Sequence, residues 1–192
     1  MRKILSVAVS AVLLAAIGVA QRLTPDADRM YAPIASTGGL REDVRTEPYS
    51  VRVDAVGIGR KLIIANAAGL RERQTRGLWV VVTLTATATK EQVRLGKVEL
   101  QARDGTLFGA TDRFTGFDTA TLEAGIPRSG MVAFELPAAS APGAVLRITE
   151  ARYGSVHRLN GALGPAVEVD LGITAAHAAA AAATVDAEQV TP

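Results

Sequence analysis

Two imidazoles, His157 and His177, and no cysteine narrow the nucleophilic and metal chemistry open to this 192-residue chain. A hydrolytic triad needs a histidine between nucleophile and carboxylate. His157 stands beside Arg158 in a glycine-containing stretch and His177 in an alanine-rich tail, and neither has the setting of a catalytic base. There is no serine in a nucleophile elbow and no His-Glu-x-x-His. Without cysteine, thiolate zinc sites and cysteine nucleophiles are excluded outright. Asp112, Asp118 and Glu123 are too widely spaced for a calcium loop, and no glycine-rich stretch has phosphate-loop spacing. The expectation is a protein that is not an enzyme and that carries no cofactor and no metal.

The residue types that remain can bind. Thr83, Thr85, Thr87 and Thr89 occupy every second position of Leu78-Trp-Val-Val-Val-Thr-Leu-Thr-Ala-Thr-Ala-Thr89, opposite Leu78, Val80, Val82, Leu84, Ala86 and Ala88. Period two puts alternate side chains on opposite faces of a strand. One face is therefore apolar and the other hydroxylated, a flat and weakly polar platform for a partner. The second candidate is basic: Arg71, Arg73 and Arg76 in the polar stretch Asn66 to Arg76, read as a loop able to meet anionic headgroups or an acidic envelope polymer. Nucleic acid is not expected. Setting aside Arg2 and Lys3 leaves 19 basic side chains against 19 acidic ones, and lysine is scarce, so no basic face of the kind nucleic acid needs is apparent.

These candidates must be positioned by strands. Tyr49 to Val56 alternates and is expected to end at Gly57-Ile58-Gly59; Leu62 to Ala65 is a short apolar run. Lys97 to Arg103 and Thr106 to Thr111 flank Asp104-Gly105, which predicts a hairpin closed by a two-residue turn. Phe114 and Phe117 suit a single helical turn over the end of the core. Met131 to Leu136, Ala144 to Thr149 and Val167 to Leu171 complete the set, with a loop from Glu150 to Pro165. About seven or eight short strands with almost no amphipathic helix predict an all-β, immunoglobulin-like antiparallel β-sandwich over residues 48–173. Trp79 could fill its core in place of a disulfide, or sit half exposed at a strand end.

At the N-terminus, Arg2 and Lys3 precede an uncharged run from Ile4 to Ala20. Its apolar side chains, among them Ile4, Leu5, Val9, Leu13, Leu14 and Ile17, mark residues 1–20 as a transmembrane or signal helix. A helix of this length spans about 25 Å against a hydrocarbon core of roughly 30 Å. Gly18-Val19-Ala20 also offers small residues to a signal peptidase. Both readings place the remainder outside the cytoplasm: a single-pass membrane protein, or a secreted one if cleaved. Residues 21–47, with Pro25, Pro33 and Gly38-Gly39, read as an irregular extracytoplasmic connector. Residues 174–192 read as a disordered alanine-rich tail, or a short helix docking on another subunit.

The order of these features resembles a known group. An N-terminal membrane segment, Tyr31-Ala-Pro-Ile34, the Tyr49 strand, the apolar Leu78 strand, the Asp104-Gly105 hairpin, Glu123-Ala-Gly-Ile-Pro-Arg-Ser-Gly130 and Val132-Ala-Phe-Glu-Leu-Pro137 look like the DUF4352 group of telokin-like, immunoglobulin-type domains on the outer side of Gram-positive and actinobacterial membranes. Abundant alanine, valine and arginine with little lysine suits an actinobacterial source. The resemblance implies fold and address but carries over no catalytic residue. The expected function is a membrane-anchored binding module, an accessory subunit of an integral membrane complex of transport or secretion. The alternative is a carrier of a lipid or other small envelope molecule.

Overall fold

The computed structural model describes residues 13–14, 17–18, 32–66, 69–112, 117, 120–151 and 164–188. The chain forms two units, residues 1–32 and 33–192. In the first, Leu13, Leu14, Ile17 and Gly18 are helical, and the three large apolar side chains among them are more than half exposed. Ile4, Leu5 and Val9 lie outside the described residues. Among the described residues no helix is long and apolar enough to cross a membrane.

The second unit runs β1 (Ile34–Gly38), β2 (Asp43–Arg45), β3 (Tyr49–Asn66), β4 (Gly69–Ala88), β5 (Val93–Gln101), β6 (Leu107–Gly109), β7 (Thr121–Leu122), β8 (Arg128–Leu136), β9 (Val145–Glu150), β10 (Pro165–Asp170), α1 (Ala175–Ala179) and β11 (Ala182–Glu188). One sheet has the order β1-β10-β9-β5-β6 with β7 on β5; the other has β11-β3-β4-β8 with β2 on β3. The inward residues of β4, Leu78, Val80, Val82, Leu84, Ala86 and Ala88, join Leu95, Val98 and Leu100 of β5 and Leu146 and Ile148 of β9 in one buried cluster. Two sheets closing on a shared core make this a β-sandwich, as the alternation predicts. Tyr49 ties the layers together, donating its hydroxyl to Ile148 O at 3.0 Å, and is fully buried.

Several expectations need correction. The described strands number eleven, not seven or eight, and the sandwich is not wholly antiparallel: β1 pairs parallel with β10, and β11 pairs parallel with β3. Both parallel partners come from segments expected to be irregular. Residues 21–47 supply β1 and β2, and residues 174–192 supply α1 and β11. Strands too short and too polar to show a period become legible only where a sheet edge supplies their hydrogen bonds.

Gly57-Ile58-Gly59 does not end its strand; β3 runs through it to Asn66. A side chain on Gly59 would meet the backbone N of Val185 at 2.8 Å, so glycine here serves the close approach of β11. The stretch expected as a polar loop, Asn66 to Arg76, is largely strand. Likewise β8 begins at Arg128, within the expected turn, where it pairs with Ala86 of β4, and Gly130 leaves room for the buried Phe117 ring. The Phe114 position of the proposed helical turn lies outside the described residues.

The β5–β6 hairpin forms as expected, pairing Gln101 with Leu107 and Glu99 with Gly109. Its turn, however, is a three-residue one. Gly105 N donates to Ala102 O and Ala102 N to Thr106 O, and only Gly105 has a positive φ, 86°. Asp104 accepts from Thr106 N, and that backbone hydrogen bond holds its carboxyl below the usual range.

Candidate binding surface

The outer face of the β11-β3-β4-β8 sheet carries both sets of candidate residues, and the chain divides it in two. Cross-strand partners share a face, so register places each side chain. Thr83 lies across from Ala55 and Met131, Thr85 from Arg52 and Ser129, and Thr87 from Ser50. All three threonines are half-buried and point away from the main core. Thr83 and Thr87 extend the polar row, whereas Thr85 is taken up in a network. Its hydroxyl donates to Asp54 Oδ2 at 2.7 Å, which leaves it to accept from Ser129 Oγ at 2.8 Å. Arg52 Nε donates to Asp54 Oδ1 at 2.7 Å.

Asp54 reaches this position through a bulge: the register slips between Val53 and Ala55, so Asp54 and Ala55 both turn outward. Partial burial pushes its carboxyl up, but the hydrogen bonds from Thr85 and Arg52 and the Arg52 charge outweigh that, and it is held below the usual carboxylate range. The network stays ionised and polar at neutral pH.

The other half of the face is apolar. Trp79 and Val81 start the odd row of β4, and they are buried with Leu62, Ile64, Ala133 and Ala187 in a second cluster, with Met131 and Val185 packed against it. This small core exists because the far ends of β3 and β4 form an arm that turns back over the sheet. The register jumps from Gly59–Trp79 to Lys61–Gln74, leaving Thr75 to Leu78 of β4 unpaired with β3. Gly77 sits directly against Leu136 O, where no side chain fits, and its N–H donates to Thr75 Oγ1 at 2.9 Å. Beyond that bend, Leu62 and Ile64 face Trp79, and β11 adds Val185 and Ala187 to the same side. Among the described residues the Trp79 indole N–H has no partner. An unmade hydrogen bond costs about 1–3 kcal/mol, less than the about 4–6 kcal/mol that removing an indole from water contributes, so burial prevails.

The arginines are on this arm. Arg71 lies across from Ile64 and Arg73 across from Leu62, so both share the face that closes on Trp79, one strand farther out. Glu72 is on the opposite face, ion-paired with Lys61 at 3.0 Å. Arg76 is exposed at the bend. Among the described residues no carboxylate pairs with Arg71, Arg73 or Arg76; Arg73 donates only to the Glu72 carbonyl at 3.4 Å. The structure thus brings Arg71 and Arg73 together on one edge and sets them apart from the threonines.

Sequence reasoning missed the Asp54–Thr85–Ser129 network and the second core. The available signals were the apolar start of the odd row at Trp79 and Val81, and the two glycines, Gly57 and Gly59, that face them across the ladder. His177 is exposed in α1, and its backbone N–H is capped by Thr174 Oγ1 at 3.1 Å; His157 lies outside the described residues. Among the described residues no three acidic or histidine side chains gather to hold a metal ion. A groove of about 700 Å³ opens where the outer edge of β3 is left between β2 and β11. Val56, Ile58, Leu171 and Ile173 line it, with Arg41 and His177 also present.

The chain matches no protein-family model and no curated protein. Among solved structures it is similar to the yjhA protein of Bacillus subtilis, at 11% identity over 69% of this chain and 99% of that one, with a TM-score of 0.47. It is also similar to a secreted protein of Mycobacterium tuberculosis, MPT63, at 17% identity over 72% and 97%, with a TM-score of 0.45. An uncharacterized β-sandwich protein of Clostridium difficile 630 gives 10% identity over 72% and 95%, with a TM-score of 0.43. At these values the likeness assigns no role to any residue.

Proposed function

We propose that the protein is an exported binding module of the cell envelope and not an enzyme. Residues 1–20 either hold it at the outer side of the membrane or are cleaved to release it, and the sandwich, read as an immunoglobulin-type domain of the DUF4352 kind, acts as an accessory subunit of an integral membrane complex of transport or secretion. The observation that carries this reading is the arm, whose outer strand keeps exposed arginines and an apolar residue, Leu70 at 74% exposure, in the solvent. The inner strand of the arm serves the fold by covering Trp79 with Leu62 and Ile64, but the exposed side chains of its outer strand do not, and partner recognition uses exposed apolar and arginine side chains together. The hydroxylated half of the face, with Thr87 beside Ser50 and Thr83 farther along β4, offers a second, flatter contact. Purification of the full chain in mild detergent tests the reading: a membrane protein recovered in fixed stoichiometry is expected, and a chain that runs alone after crosslinking in intact cells overturns it.

The carrier reading is favoured by the groove beside α1. Val56 and Ile58 belong to the main core yet are only half-buried there, and an acyl chain could lie against them. Mass spectrometry of the purified protein under native conditions separates the two readings, since a carrier retains one lipid per chain and no protein partner.

A further inference from the structure

We propose that the free edge of β4 from Gly69 to Arg76 is a strand-addition site that takes an extended polypeptide segment with carboxylates at alternate positions. The inference rests on the binding-module reading and names the chemistry of its partner. β8 pairs with β4 only from Leu78 to Ala86, and Pro137, which has no N–H, follows the last paired residue of β8. Below Leu78 the β4 edge therefore has no neighbour among the described residues, and its alternate backbone N–H and C=O groups are the template that an incoming strand uses. A notch lined by Gln74, Thr75, Gly77, Leu136 and Pro137 marks where such a strand would enter in line with β8.

The side chains choose the occupant. On the face that closes on Trp79, the columns run from Val185 and Ala187 of β11, through Leu62 and Ile64 of β3, to Arg73 and Arg71 of β4. The next column belongs to the added strand, and its side chains would stand about 5 Å from the two guanidinium stems, the spacing of cross-strand pairs. Opposite charge is favoured there, and residues two apart on an extended segment match Arg71 and Arg73. On the other face Glu72 is already neutralised by Lys61, so the intervening residues of the partner need no charge. A second copy of this chain is a poor occupant. Antiparallel pairing of two such edges keeps the same face up and sets arginine against arginine, which destabilises the pair.

The test uses the full chain in detergent and a labelled seven-residue peptide alternating glutamate with valine, followed by fluorescence anisotropy. Saturable binding is expected, weakened at least tenfold by R71S/R73S. Two N-methylated forms of the peptide, blocked at alternate backbone positions in either phase, discriminate strand addition from simple charge attraction. One phase should lose binding at least tenfold and the other should retain it. Because Arg71 and Arg73 are exposed, the double variant should keep the wild-type melting temperature and Trp79 emission. Equal binding of both methylated forms overturns strand addition, and so does no binding by the wild type. Arginine-dependent binding to phosphatidylglycerol vesicles without peptide binding assigns the edge to headgroups and likewise overturns it. If wild type and R71S/R73S recover the same membrane partner equally, this site is wrong while the binding-module reading stands.

Discussion

At the scale of single residues, Tyr49 and Asp54 do the most with one side chain each. Tyr49 is buried, and its hydroxyl reaches across the sandwich to the carbonyls of Ile148 and Pro165; burial first, and the charge of Glu150 second, push its pKa up so that it stays neutral. Removing that hydroxyl as Tyr49→Phe should cost about 1 kcal/mol in urea unfolding, the usual net value of a hydrogen bond whose buried acceptor loses its partner. Asp54 has its carboxyl below the unperturbed 3.8. A depressed pKa means the folded state prefers the charged form. Its contribution is therefore complete above the unfolded titration range and disappears as pH falls through the folded value. Comparison of wild type with Asp54→Asn should show a stability difference at pH 6 that shrinks below pH 4. The side chain is 32% exposed, so the difference should stay below about 1 kcal/mol, as for other solvent-screened pairs.

At the scale of elements, the arm and β11 depend on one another. β11 closes the second core from one side with Val185 and Ala187, the arm closes it with Leu62 and Ile64, and the only tryptophan lies beneath them. Ending the chain before Ala182 should move Trp79 emission to longer wavelength and raise its quenching by acrylamide, while far-ultraviolet circular dichroism keeps its strand signature. The main core, built from separate residues, does not need β11. An unchanged emission would show that the arm covers the indole unaided. Gly59→Ala tests the same contact more gently. Its Cβ would meet the backbone of Thr184 and Val185 at 2.9 and 2.8 Å. Backbone cannot rotate away as a side chain does, so a loss of about 1–3 kcal/mol is expected from overpacking.

At the scale of the whole molecule, the layered architecture is foreshadowed by local pattern wherever a strand is long and regular. Period two is local, so the inward row from Leu78 to Ala88, the first half of the Tyr49 strand and the presence of a hairpin at Asp104-Gly105 follow from alternation and turn chemistry, whereas the extension of β3 to Asn66, the Gly69 half of β4 and the three-residue turn do not. The basic leader and uncharged run of residues 1–20 are local too. Mass spectrometry of the protein recovered from membranes should find a chain beginning at Met1 if that run is an anchor, and one beginning at Gln21 if it is a signal peptide.

Neighbouring residues decide among themselves that the stretches around Tyr49, Leu78 and Lys97 extend, which face of β4 is apolar from Leu78 on, and that thiol chemistry is impossible. Tertiary structure decided the rest, because each outcome turns on a partner remote in the chain. β1 and β11 are strands because β10 and β3 offer them edges at register pairs such as Ile34 with Pro165 and Val185 with Leu62. Trp79 is buried on the outer face, not in the main core, because the bend at Gly77 folds the arm back over it. Thr85 becomes part of a hydrogen-bonded network because a bulge turns Asp54 toward it. The arginines, read as a loop, became a ladder edge by the same long-range pairing. A hydrophobic period records the solvent each side chain avoids, but not which distant strand will cover it.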